Sequence, residues 1–378
     1  MQRRHFLSTT AAVGVGLALA PVLARAEANP RQPGAAASQS PDSLPMNEGT
    51  HGRYRPPYRF GLGGAIGLGD MRRELPEAEA LALLQQAWDL GIRYYDTSPW
   101  YGLGLSERRH AGLLSAQERD AYVLSTKVGR LLKPEPGYSH KNWQGVNNFN
   151  YEYDYSASGT RRSIEDSLQR MGVPSLDVVF IHDLSPDNED MGEGWKEHFE
   201  VAVKGAMPEL VKMREEGLIK AWGMGVNTLP PALGAIERSD PDIILSATQY
   251  SLLKHKDALN DLFPAAEKRG VSLVLGAPLN SGYLAGNEYF NYSKDVPQDI
   301  QRKRERYQAL AREHGVDLRT AALQFCNAPS VVSAIIPGAS KAEHVRENAA
   351  SMSARIPGEF WAAAKREGLL EENAPIPG

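Results

Sequence analysis

Residues 91–107 read GIRYYDTSPWYGLGLSE. Ile92 to Tyr95 is a short β-prone run that stops at Asp96, the turn formers Thr97, Ser98 and Pro99 follow, and a helix is predicted to open at Ser106. The unit is strand, loop, helix, with a carboxylate at the C-terminal end of the strand and a phenol, Tyr101, in the loop beyond it. Outward from this stretch the same unit repeats. FGLGGAIG, from Phe60, is the first strand candidate, and a helix over Glu77–Asp89 lies between Pro76 and Gly91. Tyr122–Lys127 is an apolar run, Thr160–Met171 is helical, and Leu176–His182 is again strand-like. A helix through Glu209–Glu216 is stopped by Gly217, and strands are predicted over Ile219–Gly225, Ile243–Ala247, Val271–Gly276 and Val332–Ile336. Strands apolar on both faces and separated by helices imply parallel pairing with right-handed crossovers. About eight such units, with no G-x-G-x-x-G opening the first helix, predict an α/β fold of the closed (β/α)8 TIM-barrel type rather than an open doubly wound sheet. In such a barrel the active site belongs at the C-terminal ends of the strands, where Asp96, Lys127 and His182 all fall.

The composition agrees with a globular chain that has a large core: 378 residues, 42% hydrophobic, 23% charged, formal net charge -4. Basic residues are scattered rather than clustered, which argues against nucleic acid as a partner. The single cysteine, Cys326 in AALQFCNAP, excludes an intramolecular disulfide and cysteine ligation of a metal; it is expected to pack a helix, and no metal site is expected. At the N-terminus, Arg3 and Arg4 precede Phe6-Leu7, an apolar run extends from Ala11 to Ala24, and Ala24-Arg25-Ala26 forms an A-x-A cleavage pattern. Residues 1–26 therefore read as a signal peptide, and the paired arginines resemble the twin-arginine signal that engages the export machinery for folded proteins. The apolar run is shorter than the ~20 residues of a membrane span and is interrupted by Pro21, so no stable membrane anchor is expected. A bacterial periplasmic location follows. Residues 27–57, rich in Ala, Gly, Pro, Ser and Gln, read as a flexible linker, which leaves 58–378 for the barrel.

Two connections are long. Gly129–Ser156 carries Trp143, Tyr151, Tyr153 and Tyr155, and Asp183–Glu200 carries Trp195 and many acids. Both are expected to overhang the barrel mouth. Trp100 and Trp143 are candidate walls of a substrate pocket, while the three tyrosines suit a pocket wall and loop packing equally. Asp96, Tyr101, Lys127 and His182 together make a proton-transfer set. Singly, each suits a structural role: a buried ion pair, a core histidine, a packed loop phenol. Three at strand ends, with Tyr101 in the loop beyond the first, make the proton-transfer reading a plausible one for the set.

In order along the chain, DTSPWYGLGLSE, VLSTKVG and DVVFIHD resemble the aldo-keto reductase superfamily, and the resemblance runs from about Tyr58 to the last helix. STKVGRLL, the segment from Asp154 to Asp183 and APLNSGYLAG are most similar to its D-threo-aldose 1-dehydrogenase (L-fucose dehydrogenase) and pyridoxal 4-dehydrogenase branch. The resemblance implies a catalytic tetrad of Asp96, Tyr101, Lys127 and His182, with Tyr101 as general acid or base. Lys127 is expected to lower the phenol's pKa from about 10, Asp96 to hold Lys127, and His182 to hydrogen-bond the substrate oxygen. It also implies NAD or NADP as the source of hydride. IIPGASKAEHVREN, Ile335 to Asn348, resembles the family's adenosine-phosphate segment, which makes Gly338, Ala339, Ser340, Lys341, His344 and Asn348 cofactor-binding residues. Physically, Pro337 and Gly338 turn the chain, and Ser340 with Glu343 predicts a capping box on a helix whose N-terminus can hold a phosphate. Leu279 and Ser281 match pyrophosphate contacts, and Asn227 matches the nicotinamide carboxamide contact. The sequence departs from many relatives in having Gly338 and His344 where a lysine and an arginine hold the 2′-phosphate, Ala247 for a glutamine, and Gly276 for a stacking aromatic.

The sequence thus predicts an exported NAD(P)-dependent oxidoreductase that moves a hydride between nicotinamide and an aldose or a small aldehyde or alcohol. The rival outside enzymes is a sensor or binding protein that holds nucleotide with little turnover. The rival within them, a barrel glycosidase, needs two carboxylates flanking a sugar, whereas the fourth and seventh strands end on His182 and Gly276.

Overall fold

The computed structural model describes residues 44–49, 52–145 and 148–378. The predicted signal peptide, residues 1–26, and the first part of the predicted linker lie outside the described residues. The chain alternates strand and helix from the start: β1 (Leu62–Gly63), α1 (Glu77–Asp89), β2 (Tyr94–Asp96), α2 (Leu105–Leu114) and β3 (Val123–Val128). An antiparallel pair, β4 (Arg130–Pro134) and β5 (Phe149–Tyr153), then rises from the end of β3. The alternation resumes with α3 (Ala157–Met171), β6 (Leu176–His182), α4 (Trp195–Lys204), α5 (Ala206–Glu215), β7 (Ile219–Val226), α6 (Leu229–Arg238), β8 (Ile243–Ala247), α7 (Phe263–Arg269) and β9 (Ser272–Gly276). It ends with α8 (Gln298–Glu313), α9 (Leu318–Asn327), β10 (Val332–Ile336), α10 (Ala342–Ser351) and α11 (Gly358–Arg366). Among the described residues no helix is long and apolar enough to cross a membrane.

Eight strands pair in parallel in the order β1-β2-β3-β6-β7-β8-β9-β10. Parallel bridges from Phe60 to Ile335 and from Gly63 to Gly338 bring the first strand against the last, giving the (β/α)8 barrel. Side-chain alternation explains why the strands read as apolar on both faces. Along β6, Val178 and Phe180 face the barrel interior with Tyr94, Ile243 and Val274, while Val179 and Ile181 face the helices. Each such buried side chain is worth roughly 1.5–3 kcal/mol in apolar burial.

Two expectations are corrected here. The first strand is shorter than FGLGGAIG suggested, because its glycines trade pairing for close backbone approach: a Cβ on Gly61 would lie 2.8 Å from Tyr94 O, and one on Gly63 2.8 Å from Ile336 O. The end of the predicted linker, residues 44–49 and 52–57, is structured. Met46 bridges Tyr58 antiparallel, Asn47 Nδ2 donates to Ser333 O at 2.7 Å, Arg53 N donates to Gly270 O at 3.0 Å, and Ser272 Oγ donates to Tyr54 O at 2.6 Å. Composition misread this segment because backbone and polar side-chain bonds, not an apolar run, hold it against the N-terminal ends of β9 and β10.

Gly223 marks the tightest contact between β7 and β8, where an added Cβ would lie 1.6 Å from Ile243 O. Gly223→Ala is expected to cost about 2 kcal/mol or more through forced strand separation, read as a lowered denaturant midpoint at unchanged slope.

Candidate active site

The site starts with the register of β2 and β3. Asp96 pairs with Ser125, so Lys127, two residues on, projects from the same face of the sheet into the barrel. Lys127 Nζ donates to Asp96 Oδ2 at 2.7 Å and to Thr97 O at 2.8 Å, and Ser125 Oγ donates to Asp96 Oδ1 at 2.7 Å. Both ions are fully buried. Burial pushes the Asp96 carboxyl above its ordinary value and the Lys127 ammonium below its own, and their mutual attraction opposes both.

The loop after Asp96 folds back over this pair. Ser98 Oγ accepts from Trp100 N at 3.1 Å, Tyr101 N donates to Ser98 O, and Gly104, at φ 85°, donates to Pro99 O before α2 begins. Tyr101 is thereby set with its ring 4.5 Å from Lys127 Nζ and 5.6 Å, edge-on, from the His182 ring. The four residues of the predicted tetrad converge at the C-terminal end of the barrel.

The expected electrostatics of Tyr101 are corrected. Its phenol is held well above the ordinary value, first by desolvation, then by Asp96, Tyr292 and Asp183, with Arg130 opposing. Asp96 offsets the charge of Lys127 at the phenol, so the resting group is a protonated phenol, a proton donor. His182 is pushed well below 6.5 by burial and then by Lys127 and Arg130, so its imidazole is neutral. Its Nδ1 lies 3.1 Å from Ser98 Oγ. The Asp183 carboxylate oxygen Oδ1 lies 3.5 Å from Nε2 and favours the proton there, the tautomer in which Ser98 Oγ, while accepting from Trp100 N, donates to Nδ1.

Two cavities meet at Tyr101. One, of about 430 Å³, runs from Gly63 and Gly64 past Leu279 and Ser281 to Gly338, Ser340, His344 and Asn348. The other, of about 720 Å³, is bounded by Trp100, Lys127, His182 and Asn227. Of the predicted cofactor residues, Ala339 is buried and Lys341 exposed, and neither lines the first cavity. Asn227 lies in the second, its Nδ2 donating to Asp187 Oδ2 at 3.1 Å. Trp143 is buried behind the wall, 5.3 Å edge-on to Trp100 and 6.1 Å from the Tyr101 ring, and lines neither cavity. Trp195 opens α4 and packs against Phe199. Tyr155, which serves packing, donates from its hydroxyl to His182 O at 3.1 Å and occupies the space beside Gly129.

The capping box is a further correction. Helix α10 opens with Lys341 at its N-cap and no side-chain cap, and Ser340 Oγ instead sits 3.3 Å from His344 Nδ1. Residues 337–339 are held against the Gly63–Gly67 loop: Gly63 N donates to Pro337 O, and a Cβ on Gly67 would lie 2.2 Å from Ala339 O. The chain therefore enters the helix one residue later, leaving its first N–H groups without a side-chain acceptor.

The first cavity suits a dinucleotide. Sequence reasoning missed three arginines on its wall, Arg72, Arg73 and Arg319. Arg72 Nη1 donates to Ser281 O at 3.2 Å, its guanidinium lies 3.8 Å over the Tyr289 ring, and its buried Nη2 has no hydrogen-bond partner among the described residues. An orphan guanidinium nitrogen and an uncapped helix N-terminus in one cleft fit anionic phosphates. Arg72 was readable only as one of a basic pair in a loop; nothing in its spacing tied it to Ser281.

Residues 60–366 match the Aldo/keto reductase family. The chain belongs to that family. As an aldo/keto reductase it is an NAD(P)-dependent oxidoreductase. It is similar to D-threo-aldose 1-dehydrogenase of Pseudomonas sp, 35% identical over 318 residues that cover 81% of this chain and 93% of the relative. It is also similar to pyridoxal 4-dehydrogenase of Microbacterium luteolum, 36% identical over 327 residues, 82% of this chain and 94% of the relative. In fold it resembles aldo-keto reductase AKR11C1 from Bacillus halodurans (holo form), with a TM-score of 0.63 at 21% identity, covering 87% of this chain and 98% of that one.

The Ser98–His182 contact gives this aldo/keto reductase a measurable signature. Because burial depresses the His182 pKa, the imidazole stays neutral as pH falls through 6.5, and kcat/KM for carbonyl reduction should show no acid limb there. Ser98→Ala, by freeing the tautomer, is expected to lower kcat about tenfold with unchanged nucleotide affinity.

Proposed function

We propose that this aldo/keto reductase is exported to the bacterial periplasm by the twin-arginine machinery and interconverts an aldose, or a small aldehyde or alcohol, with its oxidised or reduced partner, using Tyr101 as the proton-transferring group. The observation that carries the reading is the convergence of the Tyr101 phenol, the His182 imidazole and the buried Lys127–Asp96 pair at one point of the barrel mouth. The names of the two relatives, one an aldose and one a pyridoxal dehydrogenase, support an aldehyde-level carbon as the reacting centre.

The substrate oxygen would lie between the Tyr101 hydroxyl and His182 Nε2. Nicotinamide dinucleotide, when bound, supplies the hydride in reduction and accepts it in oxidation. Gly338, Ser340, His344 and Asn348, with Arg72, would hold its phosphates and adenosine in the first cavity. During reduction Tyr101 gives its proton to the oxygen as negative charge develops there, and His182 Nε2–H steadies the same oxygen. Lys127, at 4.5 Å from the Tyr101 ring, stabilises the phenolate left behind, and Asp96 keeps that ammonium in place. In oxidation the steps reverse, and the phenolate receives the hydroxyl proton.

The test is absorbance at the reduced-nicotinamide band, with NAD and NADP and a panel of aldoses and aldehydes. Wild type should turn over, and Tyr101→Phe should lose about 10²–10⁴-fold in kcat while binding nucleotide normally. Turnover retained by Tyr101→Phe would assign the proton to another group. Export is checked by cell fractionation: Arg3→Lys together with Arg4→Lys should leave the protein in the cytoplasm.

A further inference from the structure

Asp183 takes no part in the proton transfer just described, yet it stands next to the reacting centre. Its φ is +45°, the left-handed region that disfavours any residue with a Cβ. The conformation is held by hydrogen bonds from Asp183 N to Gly225 O at 2.9 Å and from Asn188 Nδ2 to Asp183 O at 3.0 Å. With the backbone so fixed, Asp183 Oδ1 lies 3.5 Å from His182 Nε2, the nitrogen that faces the substrate oxygen.

The other carboxylate oxygen, Oδ2, accepts from Arg130 Nη1 at 3.0 Å. Arg130 is an unusual partner: its side chain is 4% exposed, its guanidinium lies 4.5 Å over the Trp100 ring, and its Nη2 donates to Tyr153 Oη at 3.0 Å. Its buried Nε has no hydrogen-bond partner among the described residues. Both Asp183 and Arg130 line the second cavity, and the Asp183 side chain keeps 20% exposure there. A carboxylate clamped through one oxygen, with the other open beside His182, is arranged to accept a hydrogen bond from something in the cavity.

We propose that Asp183, oriented by Arg130, is a substrate-binding carboxylate that accepts the hydroxyl on the carbon next to the reacting carbon, which makes α-hydroxy aldehydes and their sugar forms the substrate class. The proposal rests on the hydride-transfer reading above. The reacting oxygen sits at His182 Nε2, and a hydroxyl on the adjacent carbon is the substrate group nearest to that oxygen, hence nearest to Asp183 Oδ1. A simple aldehyde offers nothing there and leaves the half-buried carboxylate facing an apolar carbon. Sites built around a substrate hydroxyl reject the analogue without it far more strongly than apolar pockets discriminate by size.

The experiment compares 2-hydroxypropanal with propanal, which differ by that hydroxyl alone, as substrates for reduction by the full protein with saturating nucleotide. Wild type should prefer 2-hydroxypropanal in kcat/KM by at least about tenfold, and Asp183→Asn, whose amide tolerates the left-handed backbone, should reduce that preference about tenfold. A second variant, Asp183→Leu with Arg130→Met, removes both charges of the pair together and should abolish the preference; quenching of tryptophan fluorescence by nucleotide confirms that each variant is folded. A wild type that reduces both aldehydes equally well, or an Asp183→Asn variant that slows both by the same factor, overturns the proposal and leaves the hydride-transfer reading standing. A wild type that reduces neither and oxidises no aldose, while binding nucleotide, overturns the hydride-transfer reading and the proposal with it.

Discussion

The buried ion pair between Asp96 and Lys127 is the constraint on which the site depends. Two charges taken out of water cost several kcal/mol each unless every polar atom is answered. Here they are answered: both carboxylate oxygens accept, one from Lys127 and one from Ser125, and Lys127 also donates to Thr97 O. Because Asp96 and Lys127 come from neighbouring strands, the pair exists only when β2 and β3 are in register. A slip by one residue would turn Lys127 toward the helices and leave Asp96 alone. The geometry of the pair and the barrel register are the same fact at this point of the molecule.

From that pair the protonation of the whole mouth follows. A lone ammonium beside Tyr101 would draw the phenol toward phenolate, but with Asp96 at 2.7 Å the pair carries no net charge and desolvation decides, so the proton stays on Tyr101. His182 responds to burial and to two nearby cations by giving up its proton. The second ion pair, Arg130–Asp183, repeats the arrangement above the first. The mouth therefore presents neutral donors, a phenol and an imidazole N–H, between two internally balanced pairs. That is the state in which a carbonyl oxygen can be polarised without first exchanging protons with water.

How much of this the sequence carries depends on the scale at which residues cooperate. Leu176–His182, Ile243–Ala247 and Val332–Ile336 are strands residue for residue, because a short, mostly apolar, β-branched run between helical segments signals a strand buried on both faces. Asp96, Lys127 and His182 were legible for the same reason: each interrupts such a run at its C-terminal end. Arg130 and Asp183 were not. They are 53 residues apart, each reads as an ordinary loop charge, and only the β4–β5 excursion, with Tyr153 and Trp100 around the guanidinium, makes them a buried pair. The capping box on α10 failed for a related reason: local spacing nominated Ser340, but the long-range contact with the Gly63–Gly67 loop decided where the helix begins. Residues 44–49 and 52–57 resemble a linker in composition and are fixed by bonds to Ser272 and Ser333, partners more than two hundred positions away.

The division of labour between barrel and loops is visible at Gly276 and Tyr292. A Cβ at Gly276 would lie 3.0 Å from Ala247 Cβ, so the ends of β8 and β9 press together and a bulky ring on that strand end would have to force them apart. The ring surface at the junction of the two cavities comes instead from the connection after β9, where Tyr289 and Tyr292 line both. Tyr292 holds φ +74°, with its N–H on Ser281 Oγ at 2.9 Å, so this wall is fixed by the same residue whose carbonyl receives Arg72. Small residues at the strand ends open room over the barrel, and loop residues fill it with shape. The strand ends hold Asp96, Lys127 and His182 around the Tyr101 phenol, where their hydrogen bonds tolerate little displacement. The connections after β3, β6 and β9 supply the remaining walls of the second cavity, among them Arg130, Asp183 and Tyr292.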